Sequence, residues 1–333
     1  MRLAKQIILA SILGMQALSA FAEGIPQYGL YLFGSPVVNP AYTGSKEQWY
    51  TRLYYNNHWV RAGTPNYFNV SVDGTITNKI NVGLYVVNEQ MGLANTTDVV
   101  ASYAYRLPVG ETSNLNFGFS LGVGYNSVSF DKFDPIESND AALLGIRNNA
   151  EPLAAVGIFY DSERFYAGLS LRHIAAGLYK PQTSFLLPNK TRNGVFTLVG
   201  FIPTIENLDF SPSMMWQEDL QSSSVIDMTL AFIYKYDYKV GLSFRTEQPF
   251  WKPESLTNIQ TYALAFSGEI FWRRMTLSYT YTVGLNSFVS GYLNEHEVSI
   301  GFYITQNVPY RGRIFHFKKH TEYCPVCEFN HGR

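Results

Sequence analysis

The feature that most limits how this chain can fold is an alternation of apolar and small polar side chains at every second residue. One run places apolar or aromatic side chains at Met275, Leu277, Tyr279, Tyr281 and Val283, with a hydroxyl at each position between them. Residues 163–172 and 295–305 repeat the pattern. Because successive side chains of a β-strand point to opposite faces, each run has one lipid-compatible face and one polar face. That division is typical of a strand in an outer-membrane barrel.

The alternation predicts an all-β fold, a transmembrane antiparallel β-barrel of about 14 strands, an even number as expected for a single-chain bacterial barrel. The barrel occupies residues 48–305. The predicted strands lie near residues 48–57, 65–73, 80–88, 97–107, 114–130, 152–161, 163–172, 194–202, 206–216, 225–236, 238–246, 258–269, 272–283 and 295–305.

The connections between these strands alternate between short and long. The segments "DSER", "PTIEN" and "KYDYK" are tight, whereas residues 131–151, 174–192 and 247–257 form long connections. Outer-membrane barrels have short turns at the periplasmic rim and long loops outside. With an even number of strands, both termini are therefore predicted to be periplasmic.

The composition favours the same class of protein. Only 15% of residues are charged and 16% are aromatic, and the net charge of −1 gives no basic surface for nucleic acid. Aromatic residues cluster near predicted strand ends, among them Tyr50, Trp216 and Trp272, which suggests the girdles that anchor a barrel at both membrane interfaces. A soluble sandwich with a large antiparallel sheet is the competing fold, but it would carry more charged turns.

The first 22 residues have the pattern of a secretion signal. Arg2 and Lys5 precede an apolar run over residues 7–13, and Ala20 and Ala22 occupy the small-residue positions of a cleavage site. A membrane-spanning helix would need about 20 apolar residues, more than this run supplies. The pattern predicts export, with a mature chain that begins at Glu23.

Residues 23–47, between the signal and the first strand, fit no regular element. Pro36 and Pro40 each lack a backbone donor and push the preceding residue into an extended state. Val37, Val38 and Tyr42 nevertheless favour burial. Since lipid cannot cover an irregular backbone, this periplasmic N-terminal segment must pack against protein. We expect it either to fold into the lower lumen as a partial plug or to present a platform to a periplasmic partner.

Six segments resemble the PorP/SprF family of type IX secretion system outer-membrane proteins in that family's order. They are "NPAYTGS" (39–45), "NNHWVRAGTPNYFNVSVDGTI" (56–76), "VGLYVVNEQMG" (82–92), "VVASYAYRLPVG" (99–110), "LNFGFSLGVGYNSVSFD" (115–131) and "ERFYAGLSLRHI" (163–174). The resemblance covers about the first half of the mature chain by motif and the rest by strand pattern.

The resemblance implies a non-enzymatic barrel of the type IX secretion and gliding apparatus. Such a protein associates with periplasmic and outer-membrane components of the machine, or supports export and surface attachment of a cognate secreted adhesin. Outer-membrane lipid would surround it. The residues that carry over as a partner-binding or plug site are Asn39, Pro40, Ala41, Tyr42, Gly44, Ser45, Trp59 and Asp73.

Two other classes of function share parts of this pattern. A substrate-specific, porin-like channel would have the same barrel and would be marked by a ring of charged inward residues, whereas the predicted inward positions are mostly Ser, Thr, Gly and Tyr. An outer-membrane hydrolase would need a serine, a histidine and an orienting polar residue close together. The barrel histidines His58, His173 and His296 fall in predicted rim or loop positions, so no catalytic group is predicted.

The last 28 residues, 306–333, extend beyond the predicted barrel as a periplasmic tail. This tail holds His320, Cys324, Cys327 and His331, and two thiolates with two imidazoles suit tetrahedral zinc. The competing chemistry is a Cys324–Cys327 disulfide, which an oxidising periplasm favours. The sequence leaves both open, with a structural zinc ion as the one candidate cofactor.

Overall fold

The computed structural model describes residues 35–46, 48–58, 66–110, 113–128, 148–162, 164–176, 193–200, 202–205, 207–219, 224–235, 237–247, 261–272, 274–285 and 294–304. Across these ranges, no helix has the length and apolar character needed to cross a membrane. The predicted signal peptide and the predicted tail lie outside the described residues.

The described residues form a single antiparallel sheet of fifteen strand segments. The segments are β1 (Trp49–His58), β2 (Asn66–Thr75), β3 (Ile80–Met91), β4 (Ala94–Pro108), β5 (Asn114–Val128), β6 (Asn148–Asp161), β7 (Phe165–Arg172), β8 (Asn193–Gly200), β9 (Ile202–Ile205), β10 (Leu208–Asp219), β11 (Ser224–Tyr234), β12 (Tyr238–Glu247), β13 (Thr261–Trp272), β14 (Met275–Gly284) and β15 (Glu295–Ile304). Both β8 and β9 pair with β10, so together they make one strand of a fourteen-stranded barrel.

The sheet closes on itself because its first and last strands pair. β1 and β15 run antiparallel in unbroken register from Trp49 opposite Ile304 to His58 opposite Glu295. Every other strand pairs with its neighbours in the chain, and β10 joins β8 and β9 to β11. Closure removes the open edges that lipid could not satisfy. The predicted fold, an antiparallel barrel of about 14 strands, is confirmed.

β8 and β9 are separated by residue 201, which lies outside the described residues. The pairs on either side, Ser213–Val199 and Phe210–Ile202, keep the same register along β10. A register shift follows between Leu208 and Asp209, where β9 carries an extra residue.

The predicted division of each strand into two faces is confirmed. In β14 and β7 the small polar positions are buried inside the barrel and the apolar positions are exposed on its outside. The buried set contains Thr276, Ser278, Thr280, Thr282 and Ser170, and the exposed set contains Leu277, Tyr279, Phe165, Leu169 and Leu171. An exposed apolar outer face on such strands is what a barrel in a bilayer requires.

The two rims of the barrel differ in their connections. At the short-turn rim, where β1 begins, six hairpins are closed by two to five residues each. At the long-connection rim, 19 residues separate β5 from β6 and 20 separate β7 from β8. That rim also has two short connections: two residues between β3 and β4, where Gly92 adopts φ 60°, and four residues between β10 and β11. Both Trp49 and Ile304 lie at the short-turn rim.

Strand ends were harder to predict than strands. The strands of the last short hairpin are predicted at residues 258–269 and 272–283. In the structure these strands, β13 and β14, span Thr261–Trp272 and Met275–Gly284. The alternation continues through Ile270 and Trp272, which are exposed on the outer face. The period of the pattern identifies a strand, but the turn that ends it is set by local pairing of Trp272 with Met275.

Candidate functional site

Residues 35–46, called the inner segment below, lie against the inward face of the barrel. All twelve residues are buried, and Pro40–Tyr42 forms a short 3-10 turn in contact with β4, β5, β6 and β7. The segment crosses the strands rather than pairing with them. Its polar backbone groups therefore need partners from side chains of the wall.

Asn39 fixes the turn to the wall. The backbone at Asn39 is extended, with φ −147°, as expected for a residue before proline. Its side-chain oxygen accepts a hydrogen bond of 2.9 Å from the backbone nitrogen of Ala41. Its side-chain nitrogen donates to the backbone oxygens of Ile158, at 3.1 Å, and Leu169, at 3.3 Å. The amide thus caps the turn and bridges β6 and β7 at once.

Glycines in the wall make this close approach possible. A Cβ atom at Gly118 would lie 2.3 Å from the nitrogen of Ala41, and one at Gly157 would lie 2.0 Å from the side-chain oxygen of Asn39. A Cβ at Gly168 would lie 2.9 Å from the side-chain nitrogen of Asn39. We call Gly118, Gly157 and Gly168 the glycine seat. Any larger residue there would push the inner segment away from β5, β6 and β7.

Tyr42 fills the space next to the glycine seat. Its ring lies 4.2 Å from that of Phe159 and 6.0 Å from that of Tyr166, measured between centroids. Its hydroxyl makes a 2.9 Å hydrogen bond with the hydroxyl of Thr197. Burial raises the pKa of Tyr42 well above its usual range, and the hydrogen bond with Thr197 partly opposes that rise. The side chain is therefore an uncharged anchor between β6 and β8.

Thr43 and Gly44 attach the other end of the turn. The Thr43 hydroxyl donates to the Ser102 hydroxyl at 3.0 Å, and the Gly44 nitrogen donates to the Asp73 carboxylate at 2.8 Å. The Gly44 oxygen accepts a 2.7 Å hydrogen bond from the Arg106 guanidinium. Gly44 has φ 68°, a conformation that favours glycine.

Val37 and Val38 reach across the lumen. They belong to one buried apolar cluster with Tyr54 and Tyr67 from one side of the barrel and Val195 and Met215 from the other. β1 and β8 lie about half the barrel apart in strand order. The Val38 oxygen also accepts a 2.8 Å hydrogen bond from Ser170 of β7. The inner segment thus connects opposite walls.

Lys46 joins the inner segment to a group of buried charges near the short-turn rim. Its ammonium lies 3.2 Å from the centre of the Tyr50 ring, and it interacts electrostatically with Asp73 and Glu269. Burial, reinforced by the nearby Arg52, lowers the pKa of Lys46 well below its usual range, and the two carboxylates oppose this. Removing one member of such a group leaves its partners uncompensated.

Further charges face inward near the long-connection rim. Arg245 forms a 3.0 Å ion pair with Asp227 and approaches Glu295 at 3.9 Å. Next to them, the Tyr54 hydroxyl donates a 2.9 Å hydrogen bond to Glu297. The prediction that inward positions are mostly Ser, Thr, Gly and Tyr missed these residues, because a charged residue inside a strand can face either way until the register is known.

The structure brings most of the predicted site together. Asn39, Pro40, Ala41, Tyr42, Gly44 and Ser45 form the turn and its end, and Asp73 hydrogen-bonds to that end. Trp59 lies outside the described residues, as do His320, Cys324, Cys327 and His331. In the described part of the chain, no three His, Cys, Asp or Glu side chains are placed to hold a metal ion.

Several residues that build the site were not predicted. The glycine seat, Ser102, Thr197 and Arg106 all contact the inner segment. The inward glycines of the alternating pattern were a signal, because glycine weakens a strand unless something approaches it closely. Tyr50, predicted for the aromatic girdle, is instead buried on the inner face.

Of the three histidines considered for catalysis, His173 and His296 are on different sides of the barrel, and the side chain of His58 lies outside the described part of the structure. His173 follows β7, with φ 52°, and His296 is the second residue of β15. His296 packs on Tyr281 and shares a 2.8 Å hydrogen bond with the Tyr279 hydroxyl. Both tyrosines lie on β14, which is on the other side of the barrel from β7 and the His173 that follows it.

Several solved structures are similar to this chain at low sequence identity. The CymD monoaromatic hydrocarbon channel is 10% identical, with a TM-score of 0.49 over 81% of this chain and 92% of the channel. The P. putida toluene transporter TodX is 11% identical, with a TM-score of 0.45 over 82% of this chain and 94% of the transporter. The Acinetobacter baumannii outer membrane protein Omp33 is 8% identical, with a TM-score of 0.44 over 79% of this chain and 100% of Omp33. At these identities the similarity adds nothing about function.

No curated protein sequence matches this chain. The family model for the type IX secretion system membrane protein PorP/SprF, in contrast, matches residues 20–302, which include the inner segment and nearly the whole barrel. The chain therefore belongs to the PorP/SprF family of type IX secretion system membrane proteins.

Proposed function

We propose that this chain is a non-enzymatic component of the type IX secretion and gliding apparatus. In this role it anchors periplasmic machine components in the outer membrane or supports the export and attachment of a cognate surface adhesin. The observation that carries the proposal is the fully buried inner segment, which contacts opposite walls of the barrel. A lumen occupied in this way suits a rigid scaffold better than a solute channel.

The proposed orientation places the short-turn rim in the periplasm. Barrels of this kind have short turns on the periplasmic side, and six of the hairpins here are short at one rim. The chain enters β1 and leaves β15 at that rim. Segments before Trp49 and after Ile304 would then be available to periplasmic components of the machine.

A substrate-specific channel is the alternative function, and one observation favours it. Charged side chains face inward on strands of both halves of the barrel, including Arg52, Arg106, Asp227, Lys239 and Glu297. Such residues line the aqueous lumen of porins. Two observations speak against a channel. Arg245 is next to Asp227 and Lys239 interacts with Glu269, so these charges neutralise each other. The inner segment also lies between the walls.

Affinity isolation of the full-length protein from its native outer membrane tests the proposal. The bait is a tagged chain solubilised in mild detergent, and an unrelated barrel with the same tag is the control. We expect periplasmic ring components, or one large adhesin, to be recovered with the bait alone. A barrel isolated without partners that also shows a large single-channel conductance would support the channel instead.

A further inference from the structure

A band of uncharged amide side chains lies on the outer surface of the barrel near the long-connection rim. Cross-strand pairing aligns Asn57 with Asn66, then Gln90, Asn95, Ser127 and Asn148, on six successive strands. On β2 and β5, Asn66 and Ser127 lie two residues from Phe68 and Tyr125, which are exposed. Residues two apart on a strand share a face, so the row lies on the outer face of the barrel. We call this row the amide band.

A second row, one step closer to the middle of the barrel, combines aromatic and polar side chains. It contains Tyr55, Phe68, Asn88, Thr97 and Tyr125, again in cross-strand register. The Asn88 amide donates 2.9 Å hydrogen bonds to Asn95 and to Thr97, so the two rows are joined. Tyr55, Phe68 and Tyr125 leave more than a third of their surface exposed.

Part of the hydrogen-bonding capacity of the amide band is unused. The side-chain oxygen of Asn66 is shielded from solvent and accepts no hydrogen bond within the described residues. Gln90 is exposed. Asn148 is exposed as well, so the amides of Gln90 and Asn148 are open to the hydroxyl groups of a bound molecule, whereas the shielded oxygen of Asn66 is not.

The next row toward the middle is wholly apolar. It consists of Leu53, Val70, Val86, Val99 and Val123, paired in the same order. A molecule in contact with all three rows therefore needs hydrocarbon at one end and hydroxyl or amide groups at the other. On the opposite strands one cross-strand row is apolar over Leu169, Phe196, Trp216 and Ile226 and ends at Thr246, so the long run of amides belongs to β1–β6. On β15 the band continues to His296, which pairs with Asn57.

We infer that the amide band and the aromatic row below it bind the neutral sugar headgroup of a glycolipid, with its acyl chains on the apolar row. Amides donate and accept at once, which matches vicinal hydroxyl groups. Exposed tyrosine and phenylalanine rings offer flat apolar faces to a sugar ring. Neither row contains Lys or Arg, the residues that phosphate headgroups select.

Native mass spectrometry of the purified full-length barrel tests this binding. The protein is equilibrated in detergent with equal amounts of a monoglucosyl diacylglycerol and a phosphatidylethanolamine that carries the same acyl chains. We expect the glucolipid to be retained roughly tenfold over the phospholipid, the preference that about 1.4 kcal/mol of added hydrogen bonding produces. Equal retention of the two lipids would overturn the inference.

A variant and a control separate the amide band from general lipid binding. In the triple variant Asn66→Leu, Gln90→Leu, Asn95→Leu, we expect the preference to fall to parity, with phospholipid retention and barrel assembly unchanged. Leu230→Ala, at an exposed outward position of β11 on the opposite side of the barrel, should keep the wild-type preference. A preference that persists in the triple variant, or retention of soluble glucose oligomers equal to that of the glucolipid, would contradict a lipid-anchored ligand at this site.

Discussion

Asn39 uses both ends of its amide to hold the inner segment against the barrel wall. The oxygen caps the turn through Ala41, and the nitrogen reaches the backbone oxygens of Ile158 and Leu169. An aspartate of the same shape could accept from Ala41 but could not donate to the two carbonyl oxygens. The contact also depends on the neighbouring strands, since Gly157 and Gly168 leave room for the amide.

We therefore expect the free energy of unfolding to decrease from the wild type to Asn39→Ala and further to Asn39→Asp. Asn39→Ala loses all three hydrogen bonds and should lower the free energy of unfolding by about 1–3 kcal/mol. Asn39→Asp keeps the cap but places a carboxylate against two carbonyl oxygens, so it should be less stable still. Urea unfolding of the detergent-folded barrel, followed by tryptophan fluorescence, measures the order. Asn78→Ala, in the exposed β2–β3 turn, is the control. An Asp variant as stable as the wild type would show that the amide donor is not used.

The contact between Asn39 and the glycine seat can be tested by adding one methyl group at Gly157, with the same change at Gly268 as the control. Gly157→Ala places a methyl group 2.0 Å from the Asn39 oxygen, whereas Gly268→Ala on β13 meets nothing within 4 Å. We expect the first variant to lose about 1–3 kcal/mol of stability through overpacking and the second to match the wild type. Limited proteolysis should also cut within residues 35–46 in Gly157→Ala alone. Equal stability of the two variants would mean that the inner segment is not seated on Gly157.

The sequence predicts Asn39, Tyr42 and Gly44 as site residues but does not predict the positions that contact them. The motif is contiguous in the chain, so its unusual composition is visible directly. Gly118, Gly157 and Gly168 lie far from it in sequence and look like ordinary inward residues of three strands. Their role depends on the register of β5, β6 and β7, which aligns Gly118 with Gly157 and which no local pattern reveals.

At the scale of elements, the strands were predictable because each carries its own signal. A strand in a barrel must be apolar on one face and small or polar on the other, so the alternation records both its existence and its orientation. Elements without a repeat give weaker signals. The inner segment was predicted to be buried from Pro36, Pro40 and its apolar residues, but its path across β4–β7 follows from tertiary contacts alone.

The predicted tail, which lies outside the described residues, yields a prediction at this scale. Truncation after Gln306 should leave barrel assembly unchanged, since β15 ends at Ile304, and should reduce recovery of periplasmic partners. Heat-dependent mobility in gels measures assembly, and affinity isolation measures the partners. Partners recovered in full from the truncated protein would contradict a docking role for the tail.

The chemistry of the same tail is decided by metal and thiol analysis of protein purified without chelator. Stoichiometric zinc that disappears in the double variant Cys324→Ser, Cys327→Ser would establish a site with His320 and His331. Zinc-free protein without titratable thiols would establish the Cys324–Cys327 disulfide in its place.

For the whole molecule, the closed sheet and the inner segment depend on each other. The barrel supplies the glycine seat and the hydrogen-bond partners, and the inner segment supplies Val37, Val38 and Tyr42 to apolar clusters that connect separate strands. Buried charges such as Lys46 and Asp73 tie the two together near the short-turn rim. An occupied lumen of this kind is the central claim behind the proposed scaffold.

Single-channel recording in planar bilayers tests that claim most directly, with the wild type compared with a variant that lacks residues 27–45. The wild-type barrel should show little or no conductance, because the inner segment lies between the walls. The deletion variant, once shown to be folded by its heat-dependent gel mobility, should open a stable pore, while Gly268→Ala should behave as the wild type. A wild-type barrel that conducts as well as the folded deletion variant would contradict the account.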